Sequence, residues 1–232
     1  MKRYNLILLD ADGTLFDFER AETIALQQVL AHHQLAYSDA LRARYREINS
    51  SLWIEFERGL VDKARLQVAR FENLLAEFKL DGDPAVLNTV YTDYLAEARH
   101  LIDGAVELCQ ELSENYTLAI ASNGIARTQR RRIKGSAIEP YIKHIVVSEE
   151  AGYQKPHQGF FEYAMRICGE TDKDKVMIVG DSLSADIKGG VDFGITTCWY
   201  NPAGAANTDG LRIDHTIREL RELTRLLACS AS

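Results

Sequence analysis

Leu6-Ile7-Leu8-Leu9-Asp10-Ala11-Asp12-Gly13-Thr14-Leu15 decides the fold. Four apolar residues closed by turn formers suit a strand buried on both faces of a parallel sheet. Asp10 and Asp12 then stand at its C-terminal end, where open α/β sheets bind ligands. Two carboxylates one residue apart are costly to keep charged together unless a cation or a reaction uses them. Taken alone, the stretch also reads as a strand followed by an Asp-Gly turn.

Other segments repeat the arrangement. Leu118-Ala119-Ile120-Ala121 runs into Ser122-Asn123-Gly124, and Val176-Met177-Ile178-Val179 runs into Gly180-Asp181-Ser182, with Asp186 beyond. Ile145-Val146-Val147-Ser148 is followed, after a short polar connection, by Lys155-Pro156. Singly each is bland: a Ser-Asn-Gly turn, an exposed lysine before a proline, a common Gly-Asp-Ser loop. Together they set acid, hydroxyl, lysine and acid at or beyond the ends of successive apolar strands.

In this order the segments resemble the four motifs of the haloacid dehalogenase-like hydrolase superfamily: Asp10-x-Asp12-Gly13-Thr14, Ser122-Asn123, Lys155-Pro156 and Gly180-Asp181-x-x-x-x-Asp186. Most members are phosphatases. The true dehalogenases lack the second aspartate of the first motif, whereas Asp12 is present here, so the chain looks like a phosphoryl-transfer member. The resemblance implies a Rossmann-like, doubly wound parallel-sheet core of the α/β class, carrying a small inserted α-helical cap.

The organisation of the chain agrees with that expectation. From Leu9 to Leu118 the chain is far longer than a crossover of one helix and two loops needs. The excess reads as helices over Ala21 to His33, Asp39 to Arg58, Ala64 to Phe78 and Pro84 to Glu97. Leu41, Tyr45, Ile48, Leu52 and Phe56 recur at helical spacing, as do Leu66, Ala69, Phe71, Leu74, Leu75 and Phe78. Gly59 and Leu80-Asp81-Gly82-Asp83-Pro84 punctuate the set. We therefore expect a four-helix cap over 18–99 and a catalytic core made of 1–17 and 100–232. In the core, Asp103 can N-cap the next helix, and Gly194 suits the end of a helix beginning near Ser184.

Composition narrows the function classes. The 232 residues carry a formal net charge of −7 and are 46% hydrophobic, which describes an ordinary globular protein and disfavours nucleic acid or an anionic membrane as partner. Cys109, Cys168, Cys198 and Cys229 show no metal-ligand spacing; the first three lie in apolar stretches and are expected as buried free thiols. Lys2-Arg3 precedes an apolar run too short for a signal peptide and interrupted by Asp10, so a cytoplasmic protein is expected; as for its assembly, a monomer or a homodimer is expected. Arg127, Arg130, Arg131, Arg132 and Lys134 spread around a helix and read as a solvated face. His32-His33 and His157 read as surface residues.

Carried over residue by residue, the resemblance assigns Asp10 as a nucleophile that forms an aspartyl-phosphate. It assigns Asp12 as the acid and base that serves the leaving alcohol and then water. Lys155 supplies positive charge to both nucleophile and phosphate, and Ser122 with the Asn123 N–H holds phosphate oxygens. Mg²⁺ is the implied metal, held by Asp10, the Asp12 main-chain carbonyl and Asp181, with Asp186 orienting Lys155 or a metal-bound water. Ser51-Leu52-Trp53-Ile54-Glu55-Phe56, Arg70-Phe71-Glu72, Ser148-Glu149-Glu150-Ala151-Gly152 and Cys198-Trp199-Tyr200-Asn201 are similar to the house-cleaning pyrimidine 5′-nucleotidases. Substrate choice is then expected in the cap, with Asn49, Trp53, Arg70 and Phe71 contacting base or sugar. Alternatively, Trp53 and Phe71 fill the cap's own core.

The expected activity is hydrolysis of small phosphate monoesters, nucleoside 5′-monophosphates first. A sugar-phosphate or N-acylneuraminate-9-phosphate phosphatase and a phosphosugar mutase are the alternatives on the same core. A non-catalytic binding protein would not need Asp10, Asp12, Ser122, Lys155 and Asp181 together, and Asp12 disfavours dehalogenation.

Overall fold

The computed structural model describes residues 4–229; Lys2 and Arg3 lie outside them. Residues up to Phe18 and from Arg99 onward form one compact unit, and Glu19–Ala98 forms a second.

The first unit is built on six parallel strands: β1 (Leu6–Leu9), β2 (Thr117–Ser122), β3 (His144–Val147), β4 (Val176–Gly180), β5 (Thr196–Tyr200) and β6 (His215–Ile217). Their spatial order is β3-β2-β1-β4-β5-β6. The chain works outward from β1 to β3, returns to β4, and then works outward on the other side. The sequence order therefore reverses between β1 and β4, the point at which doubly wound sheets bind ligands. Leu9 pairs with Ile120 of β2 and with Val179 of β4. Continuing that register sets Asp10 level with Ala121 and Gly180.

Alternation of side chains along β1 divides the core in two. Ile7 and Leu9 join Leu118, Ile120, Met177 and Val179 under α5 (Ala105–Ser113) and α10 (Arg221–Cys229), packed through Leu108, Leu112, Leu223 and Leu227. Leu6 and Leu8 join Ala119, Ala121, Val146 and Ile178 under α8 (Gln158–Cys168) and α9 (Lys188–Phe193), packed through Phe160, Phe161, Ala164 and Phe193. Both faces of β1 are fully covered, which accounts for its unbroken apolar run.

The second unit holds α1 (Phe18–His32), α2 (Asp39–Glu57), α3 (Lys63–Phe78) and α4 (Pro84–Glu97). Ser38, Asp62 and Asp83 N-cap the last three by accepting hydrogen bonds from the first-turn amides, and Pro84 opens α4. Tyr45 of α2, Phe71 of α3 and Tyr91 of α4 form a fully buried aromatic trio with ring centroids 5.4, 5.5 and 5.6 Å apart. Edge-to-face and tilted contacts of this kind favour one packing of the three helices over others.

Several expectations need correction. Gly104, at φ +85°, occupies the position before α5 and no side chain caps that helix, so Asp103 is not the N-cap. Glycine takes this left-handed turn without the Cβ penalty that Asp103 would meet. Ser148 begins a short helix, α7 (Ser148–Ala151), and does not extend β3. Cys109 and Cys198 are buried free thiols, whereas Cys168 is only half-buried. Gly194, at φ +83°, does end α9. Among the described residues no helix is long and apolar enough to cross a membrane.

Candidate active site

Lys155 organises the C-terminal edge of the sheet. Its side chain is 1% exposed. Its Nζ donates to Asp10 Oδ1 at 2.6 Å, to Asp186 Oδ1 at 2.6 Å and to the Ala121 carbonyl at 2.5 Å. Three donors meet three acceptors, so the ammonium group is fully satisfied although it is buried. Burial opposes its charge, but Asp10 and Asp186 prevail and hold it protonated, above the ordinary lysine range. The Asn123 amide clamps the backbone of Lys155, accepting from its N–H at 2.8 Å and donating to its carbonyl at 2.9 Å. This clamp delivers the lysine, after a polar loop and before a cis Lys155–Pro156 bond, to the end of β2.

The acids converge around it. Carboxylate oxygens of Asp10, Asp181 and Asp186 lie within 4.8 Å of one another. Burial lifts the Asp10 carboxyl well above the ordinary range; Lys155 opposes this, and the charges of Asp186 and Asp181 add to it. Asp181 keeps an exposed edge, yet desolvation and the neighbouring Asp186 charge push it up to about 7. Crowded hard oxygen donors with elevated proton affinity fit a hard divalent cation such as Mg²⁺. Asp186 is committed to the protein, since its Oδ2 accepts from the Ser182 N–H at 3.1 Å while Oδ1 holds Lys155.

Asp181 is itself held. Thr14 donates its hydroxyl to Oδ1 at 3.2 Å, and Trp199 of β5 donates its indole N–H to the Asp181 carbonyl at 2.9 Å. Gly13, at φ +85°, lies so close that a Cβ there would sit 2.5 Å from Asp181 Oδ2. The Asp-Gly pair thus makes a turn and also leaves room for the fourth motif's acid, Asp181. Ser122 is buried at the end of β2, and its Oγ accepts the Gly124 N–H at 3.0 Å.

Asp12 extends beyond β1 with its carboxylate engaged by α6 (Ala126–Ile133). Gln129 Nε2 donates to Oδ2, and Arg132 Nη1 lies 2.7 Å from Oδ1. Arg132 is fully buried, contrary to the solvated basic face expected of this run. Arg130 does follow that expectation, pairing with Glu150 at 2.6 Å where both remain partly exposed. Arg132 shares one helix face with Gln129, and both are buried, as is Ile133.

In the second unit, three of the four expected substrate residues are interior. Phe71 is fully enclosed between Tyr45 and Tyr91 and has no face for a base to stack upon. Arg70, 2% exposed, donates to Asn88 Oδ1 at 2.6 Å and to Asn49 Oδ1 at 3.3 Å, with its guanidinium 4.6 Å from the Tyr91 ring. Asn49 in turn donates to Glu22 at 2.8 Å. A buried cation needs this ring of acceptors, so Asn49, Arg70 and Phe71 serve the packing of the four helices here. Trp53 alone of the four is half-buried, standing edge-on to Phe56 at 5.6 Å. His157 is exposed and N-caps α8, accepting the Gly159 N–H at 3.0 Å while its ring stacks on Tyr153.

Comparison with known proteins agrees with this geometry. The structure superposes on the crystal structure of the HAD-hydrolase YfnB of Bacillus subtilis bound to magnesium with a TM-score of 0.92, at 37% identity over 97% of this chain and 99% of that one. The pyrimidine 5′-nucleotidase YjjG of Escherichia coli is 32% identical over 97% of this chain and 98% of its own. The pyrimidine 5′-nucleotidase PynA of Streptococcus pneumoniae is 37% identical over 86% of this chain and 84% of its own. Residues 4–194, which span the lysine, its carboxylate partners and the helical insertion, match the haloacid dehalogenase-like hydrolase family, and to that family of hydrolases this chain belongs.

Proposed function

We propose that this chain is a Mg²⁺-dependent phosphatase that releases phosphate from pyrimidine nucleoside 5′-monophosphates through an aspartyl-phosphate. The observation that carries the reading is the buried Lys155 joining Asp10 and Asp186 beside Asp181 at the strand ends. A phosphate monoester resists attack because an anion must approach an anion, so catalysis needs fixed positive charge and a placed nucleophile.

Asp10, Asp181 and the main-chain carbonyl of Asp12 would hold Mg²⁺, which neutralises charge on the phosphoryl group when bound. Lys155 keeps the Asp10 carboxylate fixed and adds a permanent positive charge against the same group. An Asp10 oxygen attacks phosphorus, and the new O–P bond forms as the bond to the alcohol oxygen breaks. Asp12 gives that departing oxygen its proton. Asp12 then takes a proton from water, whose oxygen attacks phosphorus and frees Asp10. Ser122 and the Asn123 N–H hold phosphate oxygens, and Asp186 keeps Lys155 aimed at Asp10.

The preference for a pyrimidine rests on the two relatives that bear that activity in their names. Of the aromatic residues expected to read the base, Trp53 retains an accessible face and is assigned that role. The test is phosphate release from UMP, dUMP, dTMP, purine nucleotides and sugar phosphates, with Mg²⁺ and with EDTA. Pyrimidine turnover that EDTA and Asp10→Asn both abolish is the expected result. A preference for a sugar phosphate would overturn the substrate class, and turnover that survives Asp10→Asn would overturn the chemistry.

A further inference from the structure

The face of α6 that meets Asp12 is built at a cost that packing alone does not explain. Arg132 is 0% exposed, and its Nε, Nη1 and Nη2 make no hydrogen bond among the described residues. Its contact with Asp12 Oδ1, at 2.7 Å, is an ion pair whose N–H groups are not aimed at the oxygen. Asp12 is the one carboxylate paired with Arg132 among the described residues. The guanidinium lies 4.3 Å from the centre of the Phe16 ring, which fixes its plane. A buried guanidinium without hydrogen bonds is poorly compensated, and exchange for an apolar side chain of similar volume is commonly neutral or stabilising.

Gln129, 2% exposed, lies one turn earlier on the same face and donates its amide to Asp12 Oδ2. Its path is kept open by Gly124, where a Cβ would collide with Gln129 Nε2. Asp12 itself is about a quarter exposed. One oxygen is therefore held by the buried Gln129 amide and the other faces the buried Arg132 charge, both from the helix side, and the carboxylate keeps an open edge.

We propose that Gln129 and Arg132 are positioning residues for Asp12. They fix the carboxylate in the orientation from which it passes a proton to the leaving oxygen and later takes one from water. This rests on the phosphatase reading above. No bond is made to either residue; the proton moves between Asp12 and the alcohol oxygen as the P–O bond breaks, and between water and Asp12 as the aspartyl-phosphate is cleaved. An aryl phosphate, whose phenolate departs without a proton, should need that alignment little in the first step. An alkyl ester such as UMP should need it fully.

The experiment compares kcat/KM for UMP and for p-nitrophenyl phosphate in wild type, Arg132→Met, Arg132→Lys and Gln129→Met, with thermal unfolding of each. The expected result is unchanged or higher thermal stability for Arg132→Met. On UMP it and Gln129→Met should lose about 10- to 100-fold, within the range that a misplaced general acid accounts for. On the aryl ester they should lose only a few-fold, and Arg132→Lys should recover part of the loss. Equal losses on both esters, or none on either, overturn the proposal while leaving the phosphatase reading intact. Should Arg132→Met not fold, Gln129→Met, which keeps volume and removes only the donor, decides the matter by the same ratio. A wild-type protein inert toward every monoester with Mg²⁺ refutes the phosphatase reading itself, and this proposal falls with it.

Discussion

Replacing Lys155 by methionine should destabilise the protein strongly, and more so at alkaline than at acid pH. The substitution keeps the stem of a side chain that is 1% exposed and removes a charge bonded to Asp10, Asp186 and the Ala121 carbonyl. Asp186 is also 1% exposed and Asp10 8% exposed, so neither can turn to water in place of the lysine. Removing one partner of such a set costs about 3–5 kcal/mol. In a chain of this size each kcal/mol lowers Tm by about 2–4 °C, so a fall of about 6–20 °C is expected near neutral pH. The pH dependence follows from Asp10. Burial already holds its carboxyl above the ordinary range against the opposing pull of Lys155, and loss of the lysine moves it further up. A carboxyl raised in the folded state favours folding while it is protonated in both states, and that advantage is lost as pH rises towards the folded value. The lysine, raised above its own ordinary value, stays charged throughout and adds no slope below pH 8. The gap between variant and wild type should thus be smaller at pH 5 than at pH 8. Thermal unfolding followed by circular dichroism in EDTA measures both values. A loss below about 1 kcal/mol at pH 8, or a larger loss at pH 5, would refute the account of Lys155 as a buried counter-charge.

Glu22 carries a second pH signature. It is buried against Arg46 and Asn49, and burial raises its carboxyl from 4.5 to about 6. Its contribution is complete below pH 4.5 and fades as pH rises through 6, a change on the order of 2 kcal/mol. Glu22→Gln should flatten that part of the stability profile; a wild-type slope that persists in the variant would exclude Glu22 as its source. Gly13→Ala should place a Cβ against Asp181 at a positive φ, costing on the order of 1–2 kcal/mol in backbone strain and displacing the carboxylate. Mg²⁺ should then raise Tm less in the variant than in wild type, and an equal rise would show that Asp181 is not part of the ion's site.

The strands that carry the chemistry were legible because they are buried on both faces. β1, β2 and β4 read as unbroken apolar runs, and each leads into the strand-end cluster: Asp10 follows β1, Ser122 closes β2 and Asp181 follows β4. β5 and β6 are not legible as strands. Thr196-Thr197 dilutes the apolar signal of β5, and β6 is a three-residue edge whose His215 and Thr216 remain partly or fully exposed. The helices of the insertion were legible from period and punctuation, but the use of their residues was not. Asn49 and Arg70 are polar for the sake of an internal network, and a single sequence gives no sign of which polar residues face inward. Arg132 was concealed in the same way, its burial hidden among four exposed members of a basic run, Arg127, Arg130, Arg131 and Lys134. Sequence patterns locate strand ends well because burial leaves a simple signature; pairings across the fold, such as Arg132 with Asp12, leave none.

The two ends of the helical insertion leave the core side by side. Asp17 N–H donates to the His100 carbonyl at 3.0 Å, Ile102 N–H donates to the Leu15 carbonyl at 2.9 Å, and Phe16 bridges Leu101 in antiparallel fashion. The core therefore meets the insertion as a closed doorway, whatever lies beyond it. Lengthening or shortening the excursion alters only its loop-closure entropy, about 0.6 kcal/mol for each doubling of length. A lineage could exchange the whole cassette between Phe18 and Arg99 in one recombination event without moving the strand that leads into Asp10.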